Sequence, residues 1–178
     1  MNPDGPIALW GEVSDRDARE HRVAIFVGTH DNKVDRKGRV SVPAKFRDAV
    51  AGQSFHGVVV YRHYELPALE GCGMDQMEAY VEQMDAFDLF SNEHEDLTTI
   101  LFAESEQLSF DGEGRIMLPQ HFLEYAGIGE RAVFAGKGKR FQIWEPETYA
   151  AEREKARQRA REKGLTLPQK SAPRQAAE

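Results

Sequence analysis

Residues 35–46 of this chain read DRKGRVSVPAKF, and residues 111–122 read DGEGRIMLPQHF. Five positions are identical at a constant offset of 76: Asp35/Asp111, Gly38/Gly114, Arg39/Arg115, Pro43/Pro119 and Phe46/Phe122. Two more keep their apolar character, Val40/Ile116 and Val42/Leu118. A period that long in 178 residues restricts the chain to one domain, or to two small related halves closing on a shared core.

Asp-x-x-Gly is a turn formula: the aspartate accepts from backbone N–H groups further on, and the glycine tolerates positive φ. FVGTHDNKV and RVSV flank the first copy, LSF and RIML the second, so each reads as a β-hairpin with four loop residues or a glycine bulge. Pro43 and Pro119 stop the strand and are pre-shaped for a first helical turn. AKFRDAV and QHFLEYA then fit short helices ended by Gly52 and Gly127. Val58–Tyr61, Ala132–Ala135 and Phe141–Trp144 read as further strands, the last two joined by a Gly136–Lys139 turn. MDQMEAYVEQMDAF carries Met77, Tyr80, Val81 and Met84 at helical spacing. The segment after Pro146 is charged all round beyond Ala151 and reads as a projecting, solvated helix.

The expected layout is a polar N-terminal extension (1–24), a first repeat with a helical connector (25–101), a second repeat with a C-terminal helix (102–163) and a disordered tail (164–178). The single cysteine, Cys72, excludes intrachain disulfides and multi-cysteine zinc sites and fits a reducing cytoplasm. No run approaches the 18 apolar residues of a membrane span, so no membrane partner is expected.

The net charge of −7 argues against a polyanion partner, but the distribution matters more than the sum. From His30 to Arg47 six Lys/Arg face two Asp, whereas Asp85 to Glu113 holds nine acids and no Lys or Arg. From Ala150 to Glu178 eight basic residues face four acids. One basic face can therefore meet a polyanion while the acidic connector points away.

Turn chemistry accounts for Asp35, Gly38, Asp111 and Gly114, but it does not require Arg39 and Arg115. Three readings compete for that arginine pair: a solvated tip, an Asp–Arg ion pair bracing each turn, or planar forked donors for phosphate or a guanine edge. Arg36, Lys37 and Lys45 add phosphate attraction under the last reading. Six histidines show no ligand spacing, Asp31–Asp35 lacks the closing glutamate of a calcium loop, and no serine lies in G-x-S-x-G. Glu104 and Glu106 alternate along a strand as a solvated face. No cofactor, small-molecule substrate or catalytic constellation is expected.

At the doubled D-x-x-G-R the chain resembles the MraZ family, whose halves each resemble the SpoVT/AbrB DNA-binding domain. FVGTHDNKVDRKGRVSVPAKFRDAV is similar to the family's N-terminal signature, and SEQLSFDGEGRIMLPQHFLEYAGI with AVFAGKGKRFQIWEPETY to its second half. The resemblance runs from about Phe26 to Arg157. It implies an α+β fold, a swapped-hairpin β-barrel formed between the halves with helices outside, and homo-oligomeric rings. It implies a cytoplasmic, nucleoid-associated regulator that binds double-stranded DNA at short direct repeats upstream of the division and cell-wall gene cluster. The DNA-reading residues fall in Asp35–Arg39 and Asp111–Arg115, chiefly Arg39 and Arg115. Glu113 departs from the basic residue common there, which weakens the second prong. Two alternatives are a ring-forming protein-interaction module and an AbrB-like antitoxin, the latter weakened by the doubled hairpin.

Overall fold

Both Asp-x-x-Gly segments close into turns for reasons visible in their atoms. Asp35 accepts at 2.9 Å from the backbone N–H groups of Lys37 and Arg39, and Gly38 N–H donates to the Asp35 carbonyl at 2.9 Å. Gly38 completes the turn at φ 82°. Asp111 repeats the pattern with Glu113 and Arg115, again at 2.9 Å, and Gly114 sits at φ 73°. The computed structural model describes residues 24–167; the expectations for residues 1–23 and for the tail beyond 167 lie outside the described residues.

Each turn closes a short hairpin, with Asp35 N–H donating to the Arg39 carbonyl at 3.0 Å and Asp111 N–H to the Arg115 carbonyl at 2.9 Å, and its arms then run into different ladders. β1 (Thr29–Lys33) pairs with β7 (Arg131–Gly136) of the other half, and a lone Val34–Val40 bridge remains beside the first turn. β2 (Arg39–Ser41) crosses to pair antiparallel with β6 (Arg115–Met117), with Val40 opposite Ile116. Val42 N–H donates to the Gly114 carbonyl at 3.1 Å, and Leu118 N–H to the Gly38 carbonyl at 2.9 Å. These partners are related by the same offset of 76, so the ribbon has a pseudo-twofold axis through Val40 and Ile116. A three-residue strand cannot bury its central side chain alone. Crossing leaves Val40 and Ile116 each 1% exposed in a common core.

The larger sheet obeys the same axis. Its order is β1-β7-β8-β4-β3-β5, where β3 is Gly57–Arg62, β4 Leu69–Cys72, β5 Glu106–Ser109 and β8 Phe141–Trp144. β1 and β5 are its edges and do not pair with each other, so an open six-stranded sheet and a separate ribbon stand where a closed barrel was expected. The residues that would close the ladder are diverted at the two turns into β2 and β6. Mixed α+β architecture is as expected.

Strands β3 and β7 read as continuous apolar runs because both faces of the sheet are covered. Val58, Val60, Ala132 and Phe134 face the main core, together with the ribbon residues and Phe46 and Phe122 from the short helices α1 (Ala44–Ala49) and α4 (Gln120–Ala126). Val59, Tyr61 and Cys72 face α2 (Met74–Met84), through Met77. Val133, Ala135 and Trp144 pack near Tyr149, at the start of α5 (Pro146–Lys163). Burial pushes the Cys72 thiol up to about 12, so it is an inert packing group.

Three local expectations need adjusting. Val81 is 56% exposed, because α2 rests on Met77 and Met84 while Val81 turns away. α1 stops at Val50, two residues before Gly52, whereas Gly127 does end α4. Glu104 caps a helical segment rather than alternating with Glu106 along β5. The acidic connector holds α3 (Asn92–Thr98) and a π-helical turn (Thr99–Ala103), with Leu97, Ile100 and Leu101 at helical spacing; Ser91 starts α3 by accepting from His94 N–H at 3.1 Å. α5 projects beyond residue 151 as expected, and none of its described residues is buried.

The two turn glycines differ in what surrounds them. A Cβ at Gly38 lies 2.5 Å from the Leu118 carbonyl oxygen, whereas one at Gly114 meets the Arg47 side chain. Backbone cannot step aside, and a long side chain can. Gly38→Ala is therefore expected to cost roughly 1–3 kcal/mol, and Gly114→Ala nearer the low end. Denaturant midpoints at fixed protein concentration measure the difference, and equal losses contradict the packing described.

Candidate nucleic-acid interface

The pseudo-twofold ribbon decides which side chains face outward. In an antiparallel pair, opposed residues share a face. Arg39 lies opposite Met117 and Ser41 opposite Arg115, with Val40 and Ile116 between them buried beneath. The outer face of the ribbon is thus Arg39, Ser41, Arg115 and Met117, the last 61% exposed. The arginines stand two residues apart along the ribbon, about 7 Å by strand rise.

Both guanidiniums are held by their own turns. Arg39 Nε donates to Asp35 Oδ2 at 2.6 Å, and Arg115 Nε to Asp111 Oδ2 at 2.8 Å. The ion-pair reading of the arginines is therefore observed, and it is compatible with outward recognition. Nε is consumed in bracing, while the Nη edge of Arg39 makes no ion pair among the described residues. Arg115 differs, because its Nη1 also lies 2.8 Å from Glu113 Oε2. One prong is left with a free fork; the other is partly occupied.

The remaining candidates fall around this ribbon unevenly. Arg36 and Lys37 are exposed at the first tip, where Gly112 and Glu113 stand in the second. Gly38 and Gly114 are buried turn glycines, and Lys45 is exposed on α1. Arg47 escaped the sequence reading. Its side chain lies against Gly114, and its Nε is buried without a hydrogen-bond partner. Its counterpart 76 residues on is Leu123, which lies against Gly38. Each turn is thus backed by the helix of the other half. Arg47 sets a positive charge beside the turn that carries Glu113. The repeat offset pairs Arg47 with Leu123, but only the strand exchange reveals which turn each one covers.

The aspartates are acidic for local reasons. Backbone N–H donation from Arg39 holds the Asp35 carboxyl below its ordinary value of 3.8. At Asp111, donation from Arg115 N–H and then from its side chain lowers the value to about 2. A depressed carboxyl stabilises its turn fully above the unfolded value, and that contribution fades as pH falls through the folded value. Carboxyl-carbon NMR is expected to place the Asp111 midpoint near 2, with the Arg115 Hε resonance moving in step. An ordinary midpoint means the Asp111–Arg115 brace is absent in solution.

Elsewhere, a polar cleft of about 500 Å³ is lined by residues that include Arg62, Glu104, Ser105, Glu106 and His121. Ser105 donates its hydroxyl to the Phe102 carbonyl at 2.9 Å rather than to a base. Among the described residues no three His, Cys, Asp or Glu side chains converge as metal ligands, and no helix is long and apolar enough to cross a membrane.

Known proteins share this arrangement of sequence. The family model described as "MraZ protein, putative antitoxin-like" matches residues 25–99 and 101–167. A protein named Transcriptional regulator MraZ from Rickettsia canadensis (strain McKiel) is 41% identical over 143 residues, covering 80% of this chain and 96% of that one. The same name, identity and coverage hold for a Rickettsia felis protein. One from Rickettsia bellii is 39% identical over 137 residues, covering 77% of this chain and 91% of its own length. Both halves of the repeat fall within these matches, and the chain belongs to the MraZ family.

Proposed function

We propose that this chain is a sequence-specific DNA-binding transcriptional regulator whose ribbon reads double-stranded DNA. The observation that carries the reading is the outer face of β2–β6, where two arginines related by a pseudo-dyad stand about 7 Å apart by strand rise. A major groove about 12 Å wide admits a two-stranded β-ribbon, and a guanidinium fork matches guanine O6 and N7 or a phosphate. Arg39 is the principal reader, with Arg115 second. Asp35 and Asp111 aim them, Gly38 and Gly114 shape the turns, and Arg36, Lys37 and Lys45 attract phosphate.

Two prongs make few contacts, so tight binding needs several copies acting together. Copies joined in a ring multiply affinity through effective concentration when the DNA sites repeat at matching intervals. The family resemblance points to short direct repeats upstream of the division and cell-wall gene cluster, and to a cytoplasmic, nucleoid-associated protein without catalytic activity.

A mobility-shift titration with the DNA just upstream of this chain's own gene, against a scrambled duplex, tests the reading. Preferential retardation of the upstream duplex is expected. Affinity is also expected to fall with salt, at a logarithmic slope of about −0.9 per phosphate neutralised. Lys37→Ala flattens that slope by about one unit and weakens both duplexes alike, because lysine acts as a point charge. No retardation of either duplex sinks the DNA reading and leaves a protein-interaction module in its place.

A further inference from the structure

We infer that Met117 is a base-reading residue, its thioether packing on the C5-methyl of a thymine next to the base read by Arg39. This rests on the DNA reading above and adds a contact that breaks the symmetry of the ribbon.

Met117 stands apart from the other apolar residues of the ribbon and its ends. Val40, Val42, Ile116 and Leu118 are each no more than 2% exposed, whereas Met117 is 61% exposed. The fold asks for no apolar side chain at that place. The residue 76 positions earlier is Ser41, which holds the equivalent outward position on β2 and is also exposed. Single exposed apolar residues are common on protein surfaces. What distinguishes Met117 is where it stands.

Its place is fixed by the register. Arg39 lies opposite Met117, and Ser41 opposite Arg115. The bonds from Val42 N–H to the Gly114 carbonyl and from Leu118 N–H to the Gly38 carbonyl flank those two pairs. Bonded and non-bonded pairs alternate along an antiparallel ladder. Arg39–Met117 and Ser41–Arg115 are therefore the narrow, non-bonded pairs, with Cα atoms about 4.5 Å apart and side chains close together on one face. Successive bases on one DNA strand rise by about 3.4 Å. An arginine and a methionine held that close meet adjoining bases in one groove.

The chemistry of the groove supplies a matching feature. The thymine edge carries an O4 acceptor and the C5-methyl, and that methyl is the apolar mark among the major-groove edges. Methionine is unbranched and polarisable, so it settles against such a group in several rotamers. It has no N–H or O–H donor with which to read a purine.

The pseudo-dyad relates Arg39 to Arg115 and by itself would let the ribbon lie in the groove in either of two directions. Reversal exchanges Met117 for Ser41, an apolar group for a hydroxyl. Only one direction then sets the thioether on the methyl, so the site read by one copy is asymmetric, with a methyl recognised on the Arg39 side alone.

Replacing thymine by deoxyuridine removes this methyl and keeps every hydrogen-bonding group of the base. Each thymine of the duplex upstream of the chain's own gene is replaced singly, and full-length wild type and Met117→Ser are titrated by fluorescence anisotropy. One replacement is expected to weaken wild type about fourfold, the worth of one buried methyl-sized group, and to leave Met117→Ser unaffected. Comparing duplexes within each protein cancels any difference in folded fraction. Ser41→Met restores the dyad, and is expected to gain a second methyl-sensitive position when thymine is placed at the dyad-related step. A deoxyuridine effect of equal size in wild type and Met117→Ser, or no methyl-sensitive thymine in wild type, overturns the role of Met117 while DNA binding stands. Wild type that binds neither the upstream nor a scrambled duplex overturns the DNA reading, and the role of Met117 with it.

Discussion

Phe46→Ala is expected to cost the fold about 3–5 kcal/mol, the range for removing a fully buried aromatic ring. Phe46 is 0% exposed and sits among four other rings. Its centroid lies 5.2 Å from Phe26, 5.4 Å from Phe141 and 6.4 Å from Phe134, with the His30 ring edge-on at 5.5 Å. Those neighbours come from both halves and from the entry segment, so none can collapse into the space without disturbing the exchanged strands. Phe46→Leu keeps most of the volume and loses the edge-to-face contacts, so it is expected to cost roughly 1 kcal/mol. Urea titration at fixed protein concentration measures both, with an unchanged slope showing that stability rather than compactness has moved. A loss below about 1 kcal/mol for Phe46→Ala means the halves are not joined through this ring.

The position of Phe46 in that cluster separates what the sequence made legible from what it hid. Asp, Gly, Pro and Phe recur at one offset, and each states a local need: an acceptor, a positive φ, a strand stop, a buried ring. Those needs predict the turns and the short helices in place. Pairing is a different matter. Val40 keeps a single bridge to Val34 of its own hairpin and lies opposite Ile116 on its other side, and nothing in a three-residue strand says which second edge it will find. The exchange follows from burying both central side chains at once, a property of the whole core. Val81 shows the same limit in a helix, since periodicity names a stripe without fixing its width. Arg47 shows it at the interface, where an ordinary helix residue gains meaning only from the turn of the other half beside it.

That asymmetry between the prongs sets the largest expected effect on binding. Arg39→Ala is expected to weaken operator binding by about 5–150-fold, the equivalent of roughly 1–3 kcal/mol for a lost bidentate base contact. The loss should fall on operator more than on scrambled DNA, because a base contact carries sequence and a phosphate contact does not. Arg115→Ala is expected to do less. Its Nη1 already meets Glu113 at 2.8 Å, and that carboxylate repels phosphate, so the second prong begins with less to lose. Glu113→Gln follows as the gain-of-function partner. It frees the Arg115 fork, removes a negative charge beside the DNA, and should raise affinity for both duplexes while enlarging the later effect of Arg115→Ala. The measurement is a set of operator and scrambled titrations at one salt concentration for wild type, the three single variants and Glu113→Gln/Arg115→Ala. Equal losses at Arg39 and Arg115 contradict the role given to Glu113. An unchanged operator-to-scrambled ratio in Arg39→Ala reduces Arg39 to a phosphate contact, and sequence must then be read through DNA shape and deformability.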